Sequence, residues 1–215
     1  MRRRATVLAF AVAVTMVASV ARDCGAQSPT PSALELAVLD ETNRARTDPV
    51  AFAAHLEQML PWFDGLVMQR PGRHFGLRTN EGSPAVREAI AFLRLQAPLR
   101  PLSWSDGLWR AARDHTLDQG RTGATGHDGD DGSTMSSRMA RYGRWLETAA
   151  ENIDYGAEDA REVVISLIVD DGVPNRGHRT NIFSPNMRVM GAACGTHAEY
   201  RRMCVIDYAG GFEAK

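Results

Sequence analysis

Between Leu34 and Leu60, apolar residues recur at helical spacing, with Leu36, Val38 and Leu39 early and Phe52, Leu56, Met59 and Leu60 late. That period predicts a buried helical stripe. Thr47-Asp48-Pro49 interrupts it, and proline suits a first helical turn, so two short helices joined at Asp48-Pro49 are expected. Residues 61–82 are rich in Gly, Arg and Pro without clear periodicity and are expected to form a long surface excursion. A third helix is predicted from Pro84 to Leu95 and a fourth from Ser105 to Gln119, stopped by Gly120. Asp159-Ala160-Arg161-Glu162 has the form of a capping box opening a helix with Val163, Val164, Leu167 and Ile168 buried, which must end around Gly172-Val173-Pro174. Arg188 to Cys194 and Met203 to Ala209 are short and β-prone, and pair naturally as an antiparallel hairpin.

The N-terminus reads differently. Arg2, Arg3 and Arg4 precede an uninterrupted apolar and small-residue run from Ala5 to Val20, followed by small residues suited to cleavage after Ala21 or Ala26. This predicts a signal peptide over residues 1–26, a short Pro/Ser/Thr linker over 27–32, and one domain over 33–215 in a secreted or periplasmic protein. The apolar run is shorter than the ~20 residues that cross a bilayer comfortably, so no stable membrane span is expected after cleavage. Cys24 raises a lipoprotein reading, but Ala21-Arg22-Asp23 puts a charge directly before it, where lipidation signals want a small residue.

Composition narrows the class. The 215 residues are 44% hydrophobic and 24% charged, which suits a globular protein, and after the leader about 190 remain, enough to bury a core. The formal net charge is −1, with Arg interspersed among Asp and Glu, so no stripe for binding nucleic acid is present. Cys194 and Cys204 flank a polar stretch, residues 195–202, that looks like the loop of a hairpin. Their residues leave two readings open, a disulfide in an oxidising compartment or two small buried side chains on adjacent strands, with register deciding.

Four polar segments fall at element ends: Gly126 to Gly132, Glu151-Asn152-Ile153, Asp170-Asp171-Gly172 and Gly177-His178-Arg179. Two imidazoles and several carboxylates there make a candidate cluster. His127 and His178 are 51 residues apart, unlike a helical i, i+4 metal pair, so spacing alone is a weak metal signal. His115, on an apolar helix face, is expected to be a hydrogen-bonded core residue. Asp128-Gly129-Asp130-Asp131-Gly132 fails as an EF-hand, since its glycine comes one position early and Met139 stands where a bidentate Glu belongs. Trp104, Trp109, Trp145 and Tyr142 are expected mostly to pack, and Arg44 and Arg46 to tie helix to loop.

Residues from about 33 to 210 resemble the CAP superfamily, the cysteine-rich secretory, antigen-type and pathogenesis-related proteins with an SCP-like domain, in a bacterial secreted form. The resemblance rests on six pieces in family order: Asn43-Arg44-Ala45-Arg46, Leu102-Ser103-Trp104 with Ala112 and His115, Gly126-His127, Ala150-Glu151-Asn152-Ile153, Gly177 to Ile182, and Cys204 to Ala209. It implies an α+β fold, an α/β/α sandwich with a small, mainly antiparallel sheet between helical layers. It also implies an open cleft whose tetrad is His127, Glu151, Asp170 and His178, with Asp171 as the alternative fourth member. Residues near 61–97 have no counterpart in the minimal domain and are expected to form a wall or lid.

The chemistry of that tetrad follows. His127 and His178 would each offer one nitrogen to a divalent ion such as Zn²⁺, while Glu151 and Asp170 accept the other N–H and fix the tautomer. Two protein ligands leave such a site open and weak. Calcium stays an alternative. The resemblance favours a binder of lipid, envelope polymer or protein without covalent catalysis. The competing reading is a metal-assisted, peptidase-like hydrolase with Glu151 as general base.

Overall fold

A computed structural model describes residues 29–215. The leader, its cleavage positions and Cys24 lie outside the described residues. Helix α1 (Ala33–Thr47) starts at Ser32, which forms a full capping box with Glu35. Asp48 then caps α2 (Pro49–Glu57) by accepting the Ala51 N–H at 3.0 Å, with Pro49 in the first turn, so the break falls where the proline pattern put it.

The stretch expected to be an irregular excursion is partly ordered. Leu60–Trp62 forms a 3₁₀ turn, and β1 (Phe63–Asp64), β2 (Val67–Met68) and β3 (Leu77–Arg78) make a small antiparallel sheet. Its strands are two residues long, too short to leave a period in the sequence. Helix α3 (Ser83–Leu95) follows and buries Val86, Ala89, Ile90 and Leu93.

After β4 (Ser103–Trp104) comes α4 (Asp106–Thr122). It does not stop at Gly120. A Cβ there would lie 2.3 Å from the Thr196 carbonyl oxygen, so this glycine serves close packing inside the helix, and Gly123, at φ 79°, is the left-handed stop. Two elements had no signature in the apolar pattern: α5 (Met135–Tyr142) and the thirteen-residue β5 (Gly143–Tyr155). In α6 (Ala160–Val169), Asp159 accepts the Glu162 N–H at 2.9 Å, but the Glu162 carboxylate takes the Glu158 N–H, so only half of the capping box forms. The helix ends at Val169, capped by Asp170, before the glycine that was expected to end it. The short α7 (Gly177–Ile182) precedes β6 (Val189–His197) and β7 (Arg201–Ala214).

The main sheet has the order β4-β6-β7-β5, parallel only between β4 and β6. Helices cover both faces. Along β7, Cys204, Ile206 and Tyr208 join the core that includes α1 and α6, while Met203, Val205 and Ala209 meet α4 and its neighbours. This alternation is the period of two of a strand buried on both sides. On α6, Val163, Val164, Leu167 and Ile168 are all no more than 3% exposed, and each such side chain contributes about 1.5–3 kcal/mol relative to exposure. The expected hairpin forms, and Cys194 lies directly opposite Cys204, with Cα atoms 4.1 Å apart and a disulfide between them. Trp109 is buried as expected, whereas Trp145 is 38% exposed on β5.

Candidate functional site

The site grows from two consecutive residues of β5 that point to opposite faces of the sheet. Glu151, its side chain 1% exposed, receives the His127 Nδ1–H at 2.9 Å on Oε1 and an Arg138 N–H at 2.7 Å on Oε2. Asn152, fully buried, donates to the His178 carbonyl at 3.0 Å and accepts from Asn181 at 2.8 Å. The strand therefore grips the His127 loop with one side chain and α7 with the next.

His127 sits on a loop fastened from several directions. Gly126, at φ 104°, has its carbonyl bound by His115 Nε2–H and Gln119, and its N–H donates to the Tyr155 hydroxyl. Arg138 also donates to the carbonyls of Ser133 and His127, so one buried guanidinium ties the loop at both ends to the carboxylate that orients the imidazole. His115 is fully buried and serves the loop as a core residue, with burial pushing its imidazole toward the neutral form.

His178 is oriented at the junction of α6 and α7. Asp170 takes the left-handed cap of α6 at φ 56°, which turns its carboxylate onto the next helix. There it accepts the His178 backbone N–H at 2.9 Å and the ring Nδ1–H at 2.6 Å. Asp171 points elsewhere, accepting the backbone N–H groups of Asn80 and Glu81. Residues near 61–97 thus brace the His178 segment. Glu81 pairs with Arg176, and Glu88 with Arg179, which lies 5.0 Å from the Phe92 ring centre.

The four sequence-selected residues come together as two pairs, His127 with Glu151 and His178 with Asp170. One opening is lined by His127, Asp128, Ser136, Glu151 and Asn181, whereas Asp170 and His178 line a different groove beside β3. Among the described residues no group of three or more His, Cys, Asp or Glu side chains is arranged to hold an ion. In each pair the carboxylate accepts the Nδ1 proton, and no protein hydrogen bond among the described residues uses either Nε2. A larger depression of about 740 Å³ between α1, α2 and α6 contains none of these residues.

The electrostatics reinforce the first pair. Hydrogen bonding to Glu151 raises the His127 imidazole above its ordinary value despite partial burial. Burial alone would push the Glu151 carboxyl up, but His127 and Arg138 outweigh it and hold it below the ordinary range. Arg138 was not singled out from the sequence, because its helix carries no apolar stripe. Asn152 and Asn181 stood inside recognised motifs, but their link across the sheet edge was not visible there.

A helix-covered, largely antiparallel sheet with two carboxylate-anchored histidines at its edge defines the class. The chain belongs to the CAP, or cysteine-rich secretory protein, family, whose model matches residues 39–208. Among solved structures it is similar to an extracellular SCP-domain protein of Bacillus anthracis at 18% identity and TM-score 0.42, covering 52% of this chain and 34% of that one. It is also similar to an outer surface protein of Borrelia burgdorferi at 18% identity and TM-score 0.44, covering 54% of this chain and 80% of that one. A cysteine-rich secretory protein of Staphylococcus aureus matches at 16% identity and TM-score 0.36, over 53% of this chain and 33% of that one. The chain spans about a third of the length of the Bacillus and Staphylococcus proteins. No curated protein matches it in sequence. Among the described residues no helix is long and apolar enough to cross a membrane.

Proposed function

We propose that this is an exported, secreted or periplasmic binding protein whose open face takes a divalent cation together with a lipid, envelope-polymer or protein ligand, without covalent catalysis. The observation that carries the reading is the shared construction of the two pairs: a buried carboxylate fixes Nδ1–H of an imidazole and leaves Nε2 without a protein partner. The donor set fits zinc, which accepts neutral imidazole nitrogens backed by carboxylates. His127 and His178 would hold it. When bound, zinc would supply a Lewis-acidic centre with positions left for water or ligand. Calcium, which seeks oxygen, would meet carboxylates already engaged.

The hydrolase reading loses support at Glu151. A general base needs a free oxygen within reach of water. Both Glu151 oxygens accept hydrogen bonds from protein groups, and the side chain is 1% exposed. Isothermal titration of the mature domain with zinc tests the binding reading. The expected result is measurable, weak binding that disappears in the His127→Ala/His178→Ala double variant. Equal heats from the two proteins would overturn it.

A further inference from the structure

Behind Glu151 stands a second carboxyl group. Asp207 on β7 is directly opposite Glu151 in the β5–β7 register, which makes the two side chains cross-strand neighbours on one face of the sheet. Its other cross-strand neighbour, on β6, is Gly191, which offers no side chain. Asp207 is fully buried, and neither of its oxygens receives a hydrogen bond from any described donor. The charged and titratable groups around the pair are few. Arg138 on α5 donates to Glu151, His127 on the loop donates to Glu151, and burial pushes His115 on α4 toward its neutral form, its buried Nδ1 without a partner.

Charge balance decides what this arrangement is. Two ionised carboxylates at facing cross-strand positions, away from water and beside one guanidinium, would repel strongly, and a buried carboxylate accepting no hydrogen bond is costlier still. A protonated acid needs only an acceptor for its O–H. Glu151, whose two oxygens are both engaged by donors, is the group built to stay ionised. We propose that Asp207 is held as an un-ionised carboxylic acid that donates its O–H to Glu151, making it a positioning residue that fixes from behind the carboxylate that orients His127. The pair's one negative charge then stays on the member facing the site. Burial, reinforced by the Glu151 charge, pushes the Asp207 carboxyl well above its ordinary value.

The inference concerns the carboxylate used by the proposed cation site, but its test involves no cation, so the two can fail separately. A group whose folded value is raised keeps a proton that the unfolded chain releases. Its contribution to stability is therefore full below the ordinary aspartate value and lost as pH rises toward the folded one. Urea unfolding of the wild type and Asp207→Asn from pH 4 to pH 8 reads this directly. The amide still donates to Glu151 but cannot titrate, so the variant should gain midpoint relative to wild type steadily as pH rises. A gap that does not change with pH would overturn the proposal. Infrared spectroscopy of the folded wild type gives a second reading if the variant fails to fold. A carbonyl band of an un-ionised acid should persist at pH 8 and vanish on unfolding, and its absence would overturn the proposal.

Discussion

Arg138 and Glu151 meet at 2.7 Å with both side chains 1% exposed. A buried pair of this kind contributes modestly when intact, but losing one partner strands the other charge without water. Replacing Arg138 by Met should therefore destabilise the domain by about 3 kcal/mol or more. It should also release the His127 and Ser133 carbonyls that the guanidinium holds. Urea unfolding measures the first effect, and amide exchange across residues 126–134 measures the second. A loss no larger than that of an exposed arginine would contradict this account.

His127 should titrate above an ordinary histidine because Glu151 favours its charged form. With a raised folded value, its contribution to stability is full below the ordinary histidine range and lost as pH rises through that folded value. The ring is about half exposed, with 55% of its side chain accessible, so solvent screening keeps the contribution small. Glu151→Gln should bring the His127 titration down, as followed by NMR of the ring protons. An unchanged titration would mean that the hydrogen bond does not persist in solution.

The brace on the His178 segment has the opposite pH signature. Hydrogen bonds from Arg176, and then from the Gly172 N–H, lower the Glu81 carboxyl from 4.5 to about 2. Its stabilising effect is thus present above pH 4.5 and lost as pH falls toward about 2. Glu81→Gln should weaken the fold at neutral pH, with the gap to wild type closing across that acid window in chemical unfolding curves. The same variant should raise amide exchange in residues 171–179. A gap independent of pH would count against this ion pair as its source.

The sequence was legible where burial is apolar. Helices α3, α4 and α6 carry stripes of Val, Ile, Leu and Ala and start within one residue of their expected positions, although α6 stops short of Gly172. It was not legible where burial is polar. Helix α5 buries Arg138 beside Met139, and β5 buries Glu151, Asn152 and Asp154, so the residues that build the site are those that erase the hydrophobic period. The histidines could be picked out because imidazoles at element ends are conspicuous. The preference for Asp170 over Asp171 beside His178 depends on the left-handed backbone at Asp170, a conformation its residue type permits without requiring. The hairpin placed Cys194 and Cys204 near each other, and the register that joins them became visible only in the folded strands.

The adjacency of Glu151 and Asn152 ties the hold on the His127 loop and the hold on α7 to one strand register. A slip of one residue between β5 and β7 would turn Glu151 toward the apolar α1–α6 core and Asn152 toward Arg138, dismantling both histidine holds at once. The strand absorbs its irregularity upstream, in the register shift between Leu146 and Ala149 with Glu147 at φ 64°. Length changes taken up there leave the downstream frame intact, whereas one between residue 149 and residue 152 alters both halves in a single event.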